Sequence, residues 1–354
     1  MYTVPLFDVN DLKIRYIIIT LILFFINWKP QENQITLPKK ICLKHNISMS
    51  NKQILVSEVG PRDGLQSIDA ILPTEIKKKW IHALVEAGIR EIEVGSFVPA
   101  SVIPQLADTA EIVKYAVTIP NLTVAALVPN LRGAIDAIDS GAHKISIPFS
   151  TSETHSIRNV KRTHEQMFEE IRKVSDYISE NGHDTHLEVA LATAFGCSII
   201  GEVPEDLVIK SAEKIMESGS REIVLSDTTG YGDPATVKTL IRKLQSAIGK
   251  DKITGIHLHN TRGLGLANAF AAIEEGITTI DSSISGIGGC PFAPGASGNI
   301  VTEDLVFMLD AMGYETGIDL DKLFQIRNIL SDALPEEPLY GYTIDAGLPV
   351  GYKQ

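Results

Sequence analysis

Two histidines, His257 and His259 in the run HLHN, pose the first chemical question of this chain. On an extended strand, side chains two apart point to the same face, so both imidazoles can reach one ion. Such pairs also occur in cores and on surfaces, and alone they settle nothing. Other polar groups stand at the ends of short β-branched runs: Arg62 and Asp63 in EVGPRDGLQ, Glu93 in IEVGSF, and Asp227 in SDTTG. Beyond the last such run comes a glycine-rich stretch, GIGGCPFAPGASGN, which carries Cys290 and Asn299.

If Asp63, His257, His259 and Asn299 converge, they offer two nitrogens and two oxygens. With water and substrate in the remaining positions, that set suits an octahedral Mg²⁺ or Mn²⁺ better than a closed tetrahedral Zn²⁺. Two imidazoles make the site softer than a typical Mg²⁺ one, which favours use of Mn²⁺. Arg62 is either a rim ion pair with a carboxylate such as Glu93 or an always-charged fork for a developing oxyanion. Glu93 is correspondingly an orienting partner or a direct participant. Asp227 either caps the helix that follows it or belongs to the site. Cys290 lies among glycines that imply a mobile lid or a close approach of backbone to ligand. A thiol there can move a proton near neutrality if its pKa is lowered, or be packed structurally. Cys197, in AFGCSIIGEV, reads as a packed thiol.

The elements that must position these groups alternate along the chain. Strand patterns fall at 54–59, 91–94, 122–127, 144–148, 185–190, 222–226, 254–258 and 278–283. Helical patterns lie between them at 73–87, 101–117, 164–181, 204–218, 234–248 and 264–275, several punctuated by Pro at the start and Gly at the stop. Strands alternating with helices predict a parallel sheet with right-handed crossovers. Eight units of this length predict a closed (β/α)8 (TIM) barrel, with 319–333 as an additional C-terminal helix. A doubly wound open sheet is the competitor, but no GxGxxG opens a helix after the first strand. In a barrel, strands one, seven and eight are neighbours, and polar residues at C-terminal strand ends are the functional candidates.

Composition narrows the function. Lys+Arg 32 against Asp+Glu 44 leaves a net charge of −12, which disfavours nucleic-acid partners and anionic membrane surfaces. The run Lys77–Lys79 lies within the first helical pattern and reads as a solvated face. Three scattered cysteines, Cys42, Cys197 and Cys290, give neither a disulfide framework nor a CxxC zinc pattern, and a reducing, cytoplasmic setting is expected. Residues 1–48 differ from the rest. The uncharged run 16–28 falls short of the roughly 20 apolar residues a spanning helix needs. It also lacks a signal-peptide cleavage site. We expect residues 1–48 to be a disordered extension or the product of a start assigned upstream of Met49; a membrane tether and a targeting segment are the alternatives. The expected organisation is thus an extension at 1–48, a barrel domain at 49–334 and a tail at 335–354.

Taken together, EVGPRDGLQ, ALVPNLRG, SETHSIRN, HLHNTRGLGLAN and GIGGCPFAPGASGNIVTEDLVFML resemble the 3-hydroxy-3-methylglutaryl-CoA lyase family over about 54–333. The resemblance implies metal ligands at Asp63, His257, His259 and Asn299, a catalytic arginine at Arg62 and a loop cysteine at Cys290. Further acidic site positions match Glu93 and Asp227. It implies metal-dependent retro-Claisen cleavage of an acyl-CoA to acetyl-CoA and acetoacetate, in an enzyme compatible with homodimer formation. The chain departs from the family pattern at Ala100-Ser101-Val102, at Ser198-Ile199-Ile200 and at Asn260, which follows the second histidine in place of the usual aspartate. These loops surround the barrel mouth, so a different 3-hydroxy-3-substituted acyl-CoA stands as an alternative substrate. Within enzymes the rival is a condensing synthase of the isopropylmalate or homocitrate type. The Cys290 loop and the lack of a long C-terminal regulatory domain weigh against it. A metal-binding scaffold protein is the non-enzyme rival, and it leaves the intact Arg62, ligand set and Cys290 unexplained.

Overall fold

A computed structural model describes residues 53–288 and 298–352. The expectations for residues 1–48 and for Cys290 therefore concern positions outside the described residues. Eight parallel strands, β1 (Leu55–Glu58), β2 (Glu91–Ser96), β3 (Thr123–Leu127), β4 (Lys144–Ser150), β5 (His186–Ala192), β6 (Glu222–Asp227), β7 (Gly255–Leu258) and β8 (Thr279–Ser282), pair in chain order. The ring closes where Ser57 of β1 lies beside Asp281 of β8. The architecture is a (β/α)8 barrel, and the open doubly wound sheet is excluded.

Strand alternation sorts the side chains into two populations. One face of each strand carries branched apolar residues, among them Ile92, Val124, Ile145, Val189, Ile223, Ile256 and Ile280, all buried. These pack against the surrounding helices. The other face fills the barrel with small and polar groups. Lys144 of β4 pairs with Glu188 of the adjacent β5 and also reaches across to Glu91 of β2, a contact between non-neighbouring strands that only the interior allows. Burial of the outer apolar layer drives closure, while the polar interior is viable because its charges are paired.

The helices are α1 (Thr74–Glu86), α2 (Thr109–Ala116), α3 (Leu131–Ser140), α4 (Glu153–Asn159), α5 (His164–Glu180), α6 (Glu205–Glu217), α7 (Pro234–Ile248), α8 (Gly265–Glu274), α9 (Thr302–Ala311), α10 (Leu320–Ala333) and α11 (Tyr342–Ala346). Local sequence explains their ends. Thr163 and Gln166 form a reciprocal capping box on α5. Asp233 accepts from the backbone N–H groups of Ala235 and Thr236 ahead of Pro234, which occupies the first helical position of α7.

The pattern at 101–117 predicts one helix. The structure instead has a 3-10 turn, Pro104–Leu106, followed by the shorter α2. Pro104 disfavours helical geometry at the residue before it, which splits the segment. Helix α9 shows no clean apolar stripe because Thr302, Glu303 and Asp304 are buried along with its leucines. The extra C-terminal helix α10 packs on α1, joined by the Asp319 N–H donating to the Ala87 carbonyl at 2.7 Å. The chain after Pro335 forms α11, whose first backbone N–H groups, of Tyr342 and Thr343, donate to Asp304. Among the described residues no helix is long and apolar enough to cross a membrane.

Candidate metal and active site

The site assembles at the C-terminal mouth of the barrel, where β1, β7 and β8 meet. Directly after β1 the chain makes a single π-helical turn, Gly60–Gly64. The Val59 carbonyl accepts from the N–H groups of Arg62 at 3.0 Å and Asp63 at 2.7 Å, so both side chains leave one tight turn. The turn lies against the β8 loop: a Cβ on Gly64 would meet Ile287 Cγ2 at 2.6 Å, and one on Gly288 would meet the Gly64 carbonyl at 2.4 Å. Glycine at both positions is what lets these two backbones touch.

Asp63, His257 and His259 each present a ligand atom, all within 4.8 Å of one another. The two histidine Nε2 atoms are 3.1 Å apart. Asp63 Oδ2 lies 3.8 Å from His257 Nε2 and 3.6 Å from His259 Nε2. Asn299 joins them through an isolated bridge to His259, and its Nδ2 donates to Asp63 Oδ2 at 2.7 Å. The Oδ1 of Asn299 is buried and has no hydrogen-bond partner among the described residues, a costly state for an amide oxygen. Two imidazole nitrogens, a carboxylate oxygen and this orphaned oxygen together form a donor set that fits a divalent cation.

Arg62 ties the site to the neighbouring strand. Its Nη1 donates to Asp63 Oδ1 and its Nε to Glu93 Oε2, both at close range. The guanidinium is thus clamped between two buried carboxylates that keep it charged. Burial acts to raise the Asp63 pKa, but the Arg62 charge, a His259 hydrogen bond and the His257 charge outweigh it, holding the carboxyl well below its usual range. Burial leads for Glu93 and, despite Arg62, leaves its pKa raised. For His257 burial works downward, yet its hydrogen bond to Asp281 and the Asp63 charge leave its pKa raised.

Asp227 is placed near the cluster, but the helix after it is capped by Asp233. The Asp227 carboxylate instead closes its own loop, accepting from Tyr231 N–H at 2.9 Å and Gly232 N–H at 2.9 Å. Cys197 is buried and free. The structure also gathers residues that sequence reasoning passed over. Gln66 Nε2 donates to Asp63 Oδ1 at 2.6 Å, and Asp281 Oδ2 lies 3.0 Å from His257 Nδ1. Glu58 accepts from the N–H groups of Gly60 and Ile284 and from Thr302 Oγ1, joining the β1 turn to β8 and α9. Gln66 lay inside the recognised motif. Asp281 lay in the final strand pattern, but nothing in its spacing pointed to a pairing with His257.

A (β/α)8 barrel with an Asp-His-His cluster and a clamped arginine at its mouth defines a metal-assisted barrel enzyme. Comparison with known proteins gives the family. Residues 53–330 match the HMGL-like family. The chain is 39% identical over 283 residues to hydroxymethylglutaryl-CoA lyase YngG of Bacillus subtilis, covering 80% of this chain and 94% of that protein. It is 38% identical to the mitochondrial hydroxymethylglutaryl-CoA lyase of Macaca fascicularis, covering 80% and 86% of the two chains. Its fold superposes with a TM-score of 0.79 on an HMG-CoA lyase from Acinetobacter baumannii, solved in complex with coenzyme A and 3-methylmalate. That pair shares 37% identity, covering 86% of this chain and 98% of the other. The chain belongs to the HMGL-like family and is a divalent-metal-dependent carbon–carbon lyase.

Proposed function

We propose that this protein cleaves 3-hydroxy-3-methylglutaryl-CoA to acetyl-CoA and acetoacetate. The observation that carries the reading is the convergence of Asp63, His257 and His259 with an Asn299 Oδ1 that has no partner among the described residues, at the mouth of a barrel of this family. These four residues would hold Mg²⁺ or Mn²⁺. When bound, the ion supplies Lewis acidity that lowers the pKa of the substrate 3-hydroxyl. The hydroxyl proton passes to a base of the cluster, Asp63 or a His257 whose Nε2 is free of the ion. The bond between C2 and C3 then breaks, its electron pair moving into the thioester as an enolate while C3 becomes the ketone of acetoacetate. Arg62, held by Glu93 and Asp63, stabilises the enolate oxygen. Cys290 delivers a proton to the enolate carbon. Asp227 supports the reaction by shaping the β6 loop.

The same proposal includes a cytoplasmic homodimer whose catalytic unit starts near Met49, tested by light scattering and by N-terminal sequencing of the native protein. A coupled assay of acetyl-CoA release from the Met49-start protein, with Mn²⁺, a chelator control and His259→Ala, tests the reaction. Metal-dependent release is expected. Bound metal without turnover would move the substrate to another 3-hydroxy-3-substituted acyl-CoA, and absence of metal binding would sink the reading. Cys290→Ala should lose turnover by orders of magnitude while keeping its metal content. A near-normal rate would remove the thiol from the reaction.

A further inference from the structure

A neutral imidazole carries one proton, and whichever nitrogen lacks it holds the lone pair available to a cation or a proton. For His257 the structure contains a specific determinant of that choice. Asp281 is its direct register partner across β7 and β8. The Asp281 Oδ2 lies 3.0 Å from His257 Nδ1, and the pair is largely buried. An ionised carboxylate only accepts hydrogen bonds, so this contact requires the proton on Nδ1. It leaves the Nε2 lone pair directed at the cluster, 3.1 Å from His259 Nε2 and 3.8 Å from Asp63 Oδ2.

We propose that Asp281 is a positioning residue that sets the tautomer and ring orientation of His257, making Nε2 the donor atom of the site. Asp281 touches neither the substrate nor the ion, and its effect is transmitted through the imidazole. The inference deepens the metal-site reading above and rests on it for the affinity readout, though not for the tautomer readout. A rival role is purely electrostatic, since Asp281 also lies within the field of Arg62, Glu93 and Glu188. The two roles separate at Asp281→Asn. An amide oxygen still accepts from Nδ1–H, whereas the negative charge is gone. Positioning predicts that Asn behaves like Asp; a charge role predicts that Asn behaves like Ala.

The test uses wild type, Asp281→Ala and Asp281→Asn as full chains, each checked for an unchanged circular dichroism spectrum. Long-range ¹⁵N–¹H spectra of the metal-free proteins in alkaline buffer read the His257 tautomer. Mn²⁺ titration, followed by the electron paramagnetic resonance of free Mn²⁺, reads affinity. Wild type and Asp281→Asn should show the Nδ1–H form, and Asp281→Ala a mixture with Nε2–H. Affinity for Mn²⁺ should fall about 10–100-fold in Asp281→Ala and stay within a few-fold in Asp281→Asn. An unchanged tautomer in Asp281→Ala, or an Nε2–H form in Asp281→Asn, overturns the proposal. If Asp281→Ala does not fold, Asp281→Asn alone decides it by the same two readouts. Failure of the metal reading looks different: wild type binds no Mn²⁺, yet the tautomer still depends on residue 281.

Discussion

Glu58→Gln should remove a pH dependence built into the wall of the site. Glu58 is fully buried, with Oε1 accepting from Gly60 N–H at 2.9 Å and Ile284 N–H at 2.9 Å, and Oε2 from Thr302 Oγ1 at 2.7 Å. Burial is the leading cause that raises its pKa from 4.5 to about 8, against the opposing hydrogen bonds. Between those two values the folded chain holds a proton that the unfolded chain has released. Stability therefore falls as pH rises through the window and is level on either side of it. At about 1.4 kcal/mol per unit, the whole window is worth about 5 kcal/mol, of which about 3 kcal/mol is lost by pH 7. Glutamine is the near-isostere of the protonated acid. Its Oε1 can accept both N–H groups and its Nε2 can donate to Thr302 Oγ1. The variant should match wild type near pH 5 and exceed it increasingly towards pH 8. Urea unfolding of both proteins in chelator, at several pH values across the window, measures the difference. Glu303 and Glu188, each raised to about 7 chiefly by burial, add slopes of their own to both proteins; because the Glu303 charge also acts on Glu58, the difference between the two curves reports Glu58 together with that coupling. Parallel curves would refute the argument.

Two further expectations concern the clamp and the scaffold. Arg62→Lys cannot reach Glu93 and Asp63 with a planar fork, so kcat should fall about 100–1000-fold while Mn²⁺ affinity stays within a few-fold; a loss confined to KM would contradict the oxyanion role. Gly88→Ala places a Cβ 2.2 Å from the Gly317 carbonyl at a residue with φ +108°, and it should lower the free energy of unfolding by about 2 kcal/mol or more, read as a lower urea midpoint; an unchanged midpoint would show that the α1–α10 junction yields freely.

Much of the fold was legible because its signals are local. Six of the helical patterns and all eight strand patterns correspond to elements, since a period of two or of 3.6 survives wherever one face is buried against another layer. Legibility failed at α9, where buried Thr302, Glu303 and Asp304 erase the stripe, and at 101–117, where Pro104 divides the pattern. At the site, Asp63, His257 and His259 were readable from their types and from their places at strand ends. Asp281 was not, because its meaning depends on lying directly opposite His257. Gln66 was hidden similarly, since nothing in its spacing says that it caps one oxygen of Asp63 and leaves the other facing the histidines.

The sequence by itself determined the alternation of strands and helices, the donor types available and the strand ends that carry them. Those properties follow from periodicity and side-chain chemistry, which act within a few residues. It took the tertiary structure to show that Arg62 is shared between Asp63 and Glu93, that Asp227 closes its own loop rather than capping α7, and that Asn299 joins Asp63 through its amide nitrogen. The Asn299–Asp63 contact depends on barrel closure, which brings β1 beside β8 and so joins residues 236 positions apart; the Arg62 clamp depends on β1 lying beside β2, and the Asp227 contacts on the path of its own loop. Hydrogen bonds and ion pairs act over a few ångströms, and chain order alone does not specify which groups closure brings within that range.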